Sequence, residues 1–77
     1  MFQVVGFERS TGEYEGKQYD NFKVYCLNTD SFDGLTGNRV EVFKIKSSLF
    51  SSNFKIGDVV YPTYNKYGQV TGINLIA

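Results

Sequence analysis

The alternation from Lys17 to Asn28 constrains this chain more than any other stretch. Phe22, Val24 and Cys26 fall on one side of a period of two, and Asn21, Lys23, Tyr25 and Leu27 fall on the other. That period is the pleat of a β-strand with one buried face. Similar segments surround it. Phe2–Arg9 is strand-like, with Gly6 a point for a bulge or close packing. Val40–Lys46 reads as a third strand. Val59–Tyr64 follows the Gly57-Asp58 turn, Asn65–Gly68 forms a hairpin tip, and Gln69–Ile76 returns as a fifth strand.

The connections carry their own signals. Ser10–Gly16 is polar and holds two glycines, which predicts a mobile loop or wing. Thr29–Asn38 contains Asp33-Gly34 and Thr36-Gly37-Asn38, turn residues that predict a second loop. Ser47–Phe54 suits one helical turn, or a compact loop plugging a barrel end, with Ser47 or Ser48 as its cap. In the third strand Val40 and Val42 share a face with Lys44 and Lys46, a mixed pattern that predicts a bulge or a change of partner. Pro62 cannot donate to a ladder, so the fourth strand is expected to be an edge, or bulged, at that point.

Five strands with a break between the third and fourth predict an all-β protein. The count and the break match a five-stranded Greek-key barrel of the OB type, with a short helical turn or loop between strands 3 and 4, as one domain over residues 1–77. An SH3-like barrel also has five strands, but places its helical turn before the last one. Here the last two strands form a tight hairpin.

A chain of 77 residues buries only about 60–65% of its extended surface. Its single cysteine and lack of histidine exclude a disulfide framework and a structural zinc. Added stability is therefore expected from a second copy, as a homodimer. Cys26 reads as a small buried hydrophobe, and a free thiol fits a reducing cytoplasm. No apolar run is long enough for a membrane span and no signal peptide opens the chain, so a cytoplasmic location is expected. Catalysis finds no platform. Without histidine a nucleophile lacks its usual base, and Glu13 and Glu15 lie in the expected loop. There is no phosphate-cradling glycine motif and no metal-ligand spacing, so neither enzyme activity nor a cofactor is expected.

The aromatic content points elsewhere. Seven Phe can largely fill the core, but six Tyr exceed what so small a core satisfies, because each buried hydroxyl needs a partner. Exposed tyrosines next to lysines are what a small β-barrel needs to hold single-stranded nucleic acid, a flat ring for a base and a cation for a phosphate. Eight basic and eight acidic residues cancel. The acids Glu13, Glu15, Asp30 and Asp33 fall in expected loops, however, while Lys17, Lys23, Lys44 and Lys46 fall in strands. These four lysines and Arg9 are the candidate phosphate ligands, and Tyr19, Tyr25 and Tyr67 the candidate stacking rings. Phe32, in a turn-rich loop, is expected to be exposed. RNA on the same surface is a variant of this reading. A second class is a β-barrel adaptor that binds a protein through the edge near Pro62 or the tyrosines of the last hairpin.

Gly16-Lys17-Gln18-Tyr19, followed seven residues later by Cys26, resembles the start of the second strand in the gene-five single-stranded DNA-binding proteins of filamentous phages. Phe43-Lys44-Ile45, the Gly57 turn, the Lys66-Tyr67-Gly68-Gln69 tip and the hydrophobic last strand fall in a similar order. The resemblance implies a small OB-type barrel forming a two-fold dimer that coats single-stranded DNA with little sequence preference. It implies a place for Lys17 and Tyr19 on a DNA-binding wing, and for Lys44 at a basic position of the third strand. The chain departs from the pattern at Glu13 and Glu15, where the family's wing carries arginines. It departs again at Ile73–Ala77, where the family's last strand ends in basic residues. Arg9, Lys23 and Lys46 are the cations left to compensate.

Overall fold

The computed structural model describes residues 1–50 and 54–76. Five strands, β1 (Phe2–Tyr14), β2 (Lys17–Asn28), β3 (Arg39–Lys46), β4 (Val59–Tyr64) and β5 (Val70–Leu75), form one antiparallel sheet in the order β3-β2-β1-β4-β5. A short 3-10 turn, Ser47–Leu49, follows β3. Among the described residues no helix is long and apolar enough to cross a membrane.

The first hairpin overturns one expectation. Ser10–Gly16 is not a loop: β1 stays paired with β2 as far as Tyr14 opposite Lys17, and only Glu15 and Gly16 remain outside the ladder. Both have positive φ, 50° and 77°. Two such residues make the tight primed turn whose twist matches that of the flanking strands, and glycine supplies the second at no steric cost. The result is a long two-stranded arm. It accounts for a radius of gyration of 13.7 Å and a longest axis of 44 Å, where a compact chain of this length has a radius near ~11.5 Å.

Near its start β1 carries a bulge. Val4 pairs with Cys26 and Gly6 with Tyr25, so Val5 is an extra residue and points to solvent. An inserted residue reverses the side-chain alternation beyond it. Phe2 and Val4 face the core before the bulge, and Phe7 and Arg9 lie on that same side after it. Val4, Val24, Cys26, Ile45 and Val60 lose essentially all contact with solvent, and Phe43, Phe54 and Ile73 complete the core. Each large aliphatic side chain buried in this way contributes about 1.5–3 kcal/mol. Burial pushes the Cys26 thiol up to about 11, which keeps it unreactive. Phe22 stacks on Phe50 with ring centroids 4.0 Å apart, and Phe54 meets Phe7 and Phe50 edge-on. The segment after β3 thus closes one side of the core with aromatic rings.

Two further expectations are corrected. β3 pairs with β2 without a register shift from Arg39 to Lys46, so no bulge explains its mixed pattern. Val40 and Val42 are simply exposed, at 63% and 51%. Neither Ser47 nor Ser48 caps the 3-10 turn: Lys46 holds the cap position without a side-chain bond, and the Ser47 hydroxyl donates to Asp20 instead. The all-β expectation with five strands holds, and the sheet they form is not closed. β1 meets β4 through only Phe2–Val60 and Gln3–Val59, and β3 and β5 approach each other without a ladder between them. Lys44 and Lys46 line the gap, and charged side chains at an edge oppose strand pairing. Pro62 behaves as expected. Beyond Val60 the β1 side of β4 has no partner strand, and the ladder to β5 shifts between Thr63 and Tyr64.

Candidate nucleic-acid interface

The register of three strands decides which side chains share the outward face. β2 presents Lys17, Tyr19, Asn21, Lys23 and Tyr25 there, and directly opposed residues of an antiparallel pair point the same way. Across β1 these meet Tyr14, Gly12, Ser10, Glu8 and Gly6 in turn. Across β3, Asn21 meets Lys46, Lys23 meets Lys44 and Tyr25 meets Val42. Lys17, Lys23, Lys44, Lys46, Tyr19 and Tyr25 therefore lie on one continuous face. Glu13 and Asp20 lie on the other.

Each tyrosine of β2 sits over a glycine of β1. The Tyr19 ring covers Gly12 so closely that a Cβ there would stand 2.4 Å from the phenol oxygen. Tyr25 lies over Gly6 with its Cδ2 3.7 Å from the equivalent position. The two rings differ in freedom. Tyr19 is 42% exposed. Tyr25 is half-buried, and its hydroxyl donates to Glu8. That hydrogen bond first, then burial and the carboxylate charge, raise the Tyr25 phenol above its ordinary value. Tyr25 is anchored, whereas Tyr19 presents an open ring.

The lysines are arranged at some cost. Lys23 and Lys44 are direct cross-strand partners, and like charges in that position destabilise a sheet. Glu8, in the same row, is the one carboxylate opposite them. A row of two cations and one anion keeps net positive charge. Lys44 also borders two depressions. One, of about 660 Å³, is lined by Tyr14, Glu15, Lys17, Gln18 and Tyr19 on the arm. The other, of about 330 Å³, lies between β3 and the β4–β5 hairpin, beside Asn21, Lys46, Leu49, Asn65 and Gln69.

Arg9 does not join this face. The bulge at Val5 turns it to the opposite side, where its Nε donates to Asp20 at 2.9 Å and a second nitrogen completes a bidentate pair. Hydrogen bonds from Arg9 and Ser47 hold the Asp20 carboxyl down to about 2. Phe32 is not the exposed ring expected of its loop: it is half-buried, with the Arg39 guanidinium 3.9 Å above its centroid. Tyr67 stands at the tip of the last hairpin, 75% exposed, with the Lys66 ammonium 5.1 Å from its ring. Asn65 and Gln69 of its turn line the smaller depression, and Tyr67 itself does not.

Four lining residues were missed by reading the sequence. Tyr14 reads as a loop residue, although its place directly before Glu15-Gly16 is the signal for a paired position. Asn21 was on the correct face but carried no charge or ring to mark it. Asn65 and Gln69 read only as turn residues, and no sequence signal reveals that their hairpin folds against β3. The chain matches no protein-family model, no curated protein and no solved structure.

Proposed function

We propose that this chain is a sequence-tolerant single-stranded DNA-binding protein. Lys17, Lys23, Lys44 and Lys46 hold phosphates, and bases stack on Tyr19, with Tyr25 as an anchored platform and Tyr67 as an outlying ring. The observation that carries the reading is the shared face of four lysines and an open tyrosine, with Glu13 and Asp20 on the reverse side. Glu8 stays on the lysine face and Glu15 borders the arm depression, but four lysines outnumber them, and a strand meets a surface and not an average. The strand order supports an OB-type architecture: bringing β3 and β5 together would complete a ring in the order 1-2-3-5-4, and OB sheets are partly open. The resemblance to the gene-five proteins extends the proposal to a homodimer in the host cytoplasm that coats or protects replication intermediates of a phage, plasmid or mobile element.

Titration with oligothymidylate at low salt and micromolar protein tests the reading. Tyrosine fluorescence is quenched as bases stack, and the affinity falls as salt rises. Neither quenching nor a gel shift under those conditions ends the proposal. Exposed Val40 and Val42, beside Tyr25 and Leu27, favour a second reading as a protein-binding adaptor. In that case binding of a partner survives nuclease and high salt while oligothymidylate has no effect.

A further inference from the structure

The depression between β3 and the last hairpin has a polarity fixed by a chain of hydrogen bonds. It starts at the backbone. The N–H groups of Tyr67 and Gln69 both donate to Asn65 Oδ1, at 2.9 Å and 3.0 Å. Backbone N–H groups only donate, so the Asn65 amide has one allowed orientation, with its oxygen toward the turn and its nitrogen outward. That nitrogen donates to Gln69 Oε1 at 3.0 Å. The Gln69 amide is therefore oriented too. Its oxygen is occupied, and among the described residues its Nε2 has no acceptor. Lys44 and Lys46, which carry only donors, line the same depression. Leu49 and Val70 supply apolar surface. With about 330 Å³ the space lies at the small end of ligand pockets, roughly 300–1,000 Å³.

We propose that this depression takes one base of the bound strand and selects for a keto group, so that the protein favours thymine or uracil over cytosine. The inference rests on the strand-binding reading above and gives it a base preference. Thymine offers a carbonyl oxygen at position 4, which accepts from Gln69 Nε2. Cytosine offers an amino group there, which meets a donor at Gln69 Nε2 and finds acceptors only toward the Asn21 amide and the Thr71 hydroxyl on the other walls. A thymine bound at this position makes one hydrogen bond that cytosine cannot replace, and the mismatch leaves two donors facing each other.

The comparison that tests this uses oligothymidylate and oligocytidylate of equal length, each short enough for one protein, at pH 8 and one salt concentration. Any difference in stacking between the two strands is the same for every protein variant, so a change in their affinity ratio on substitution reports the contact at Gln69. The wild type is expected to bind oligothymidylate about three- to tenfold more tightly. Gln69→Glu keeps an oxygen for the Asn65 Nδ2 bond and replaces the free amino group with an acceptor. It is expected to abolish or invert the preference with an unchanged thermal midpoint. Gln69→Ala should bring the two affinities together. Equal wild-type affinities, or a wild-type ratio retained in Gln69→Glu, overturn the inference and leave strand binding standing. Binding of neither oligomer overturns both.

Discussion

Tyr19 lies flat across the backbone of Gly12, its cross-strand partner, and occupies the space a side chain there would need. Glycine in a strand usually weakens it. Here it is the seat that holds a half-exposed phenol against the sheet with its outer face open. Gly12→Ala therefore acts on Tyr19. Because the ring has solvent to swing into, stability is expected to stay within about 1 kcal/mol of wild type. Oligothymidylate affinity is expected to fall about tenfold, within the range of one lost stacking contact. Urea unfolding and fluorescence titration separate the two effects, and an unchanged affinity would show that the seat does not matter.

The four lysines and Arg9 make opposite predictions. A single-stranded ligand releases about 0.7 counterion per neutralised phosphate. Replacing Lys17, Lys23, Lys44 and Lys46 together by alanine should flatten the plot of log affinity against log salt by about 3. Each single replacement should flatten it by somewhat less than 1. Arg9→Ala should leave the slope alone, because Arg9 faces away and is engaged by Asp20. A change in slope from Arg9→Ala as large as that from Lys44→Ala would contradict this assignment of faces.

Asp20 makes folding sensitive to acid. Its carboxyl is held at about 2, below the ordinary 3.8, by hydrogen bonds from Arg9 and Ser47. A group depressed on folding stabilises the protein above its unfolded value, and that contribution disappears as pH falls through the folded one. Wild type should thus exceed Asp20→Asn in stability at pH 7. The difference should shrink between pH 4 and pH 2 and vanish below that. Urea midpoints measured across this range check it, and a constant difference would rule the mechanism out.

Phe54 is the buried ring that meets both Phe7 and Phe50. Truncation at such a position costs about 3–5 kcal/mol, against a total of about 4–12 kcal/mol for a chain of this length. Phe54→Ala is expected to lower the urea midpoint severely. Because Phe22 and Phe50 stack against each other, Phe50→Ala should also expose Phe22. A Phe54→Ala variant with near-normal stability would mean that the segment after β3 does not cover the core.

Much of this was legible in the residues themselves. The alternation in β2 separates Val24 and Cys26 from Lys23 and Tyr25 whatever the rest of the chain does, because a regular strand has only two faces. Phe43 and Ile45 alternate with Lys44 and Lys46 as well, although the exposed Val40 and Val42 blur that strand's pattern, and turn residues precede both strands. These local facts were enough to bring four lysines and two tyrosines to one surface once β2 and β3 paired.

Three things were decided only by the tertiary structure. Arg9 has the charge of a phosphate ligand, yet one extra residue at Val5 reverses the pleat and sends it to the side of Phe7 and Asp20. Gly12 carries the sequence mark of a loop, and only its register with Tyr19 makes it a strand position. Asn65 and Gln69 become parts of a site because the last hairpin folds against β3 across an unclosed seam. In each case the deciding quantity is a register or a long-range approach. Neighbouring residues fix a local period, but only pairing between distant segments fixes which face of that period meets solvent.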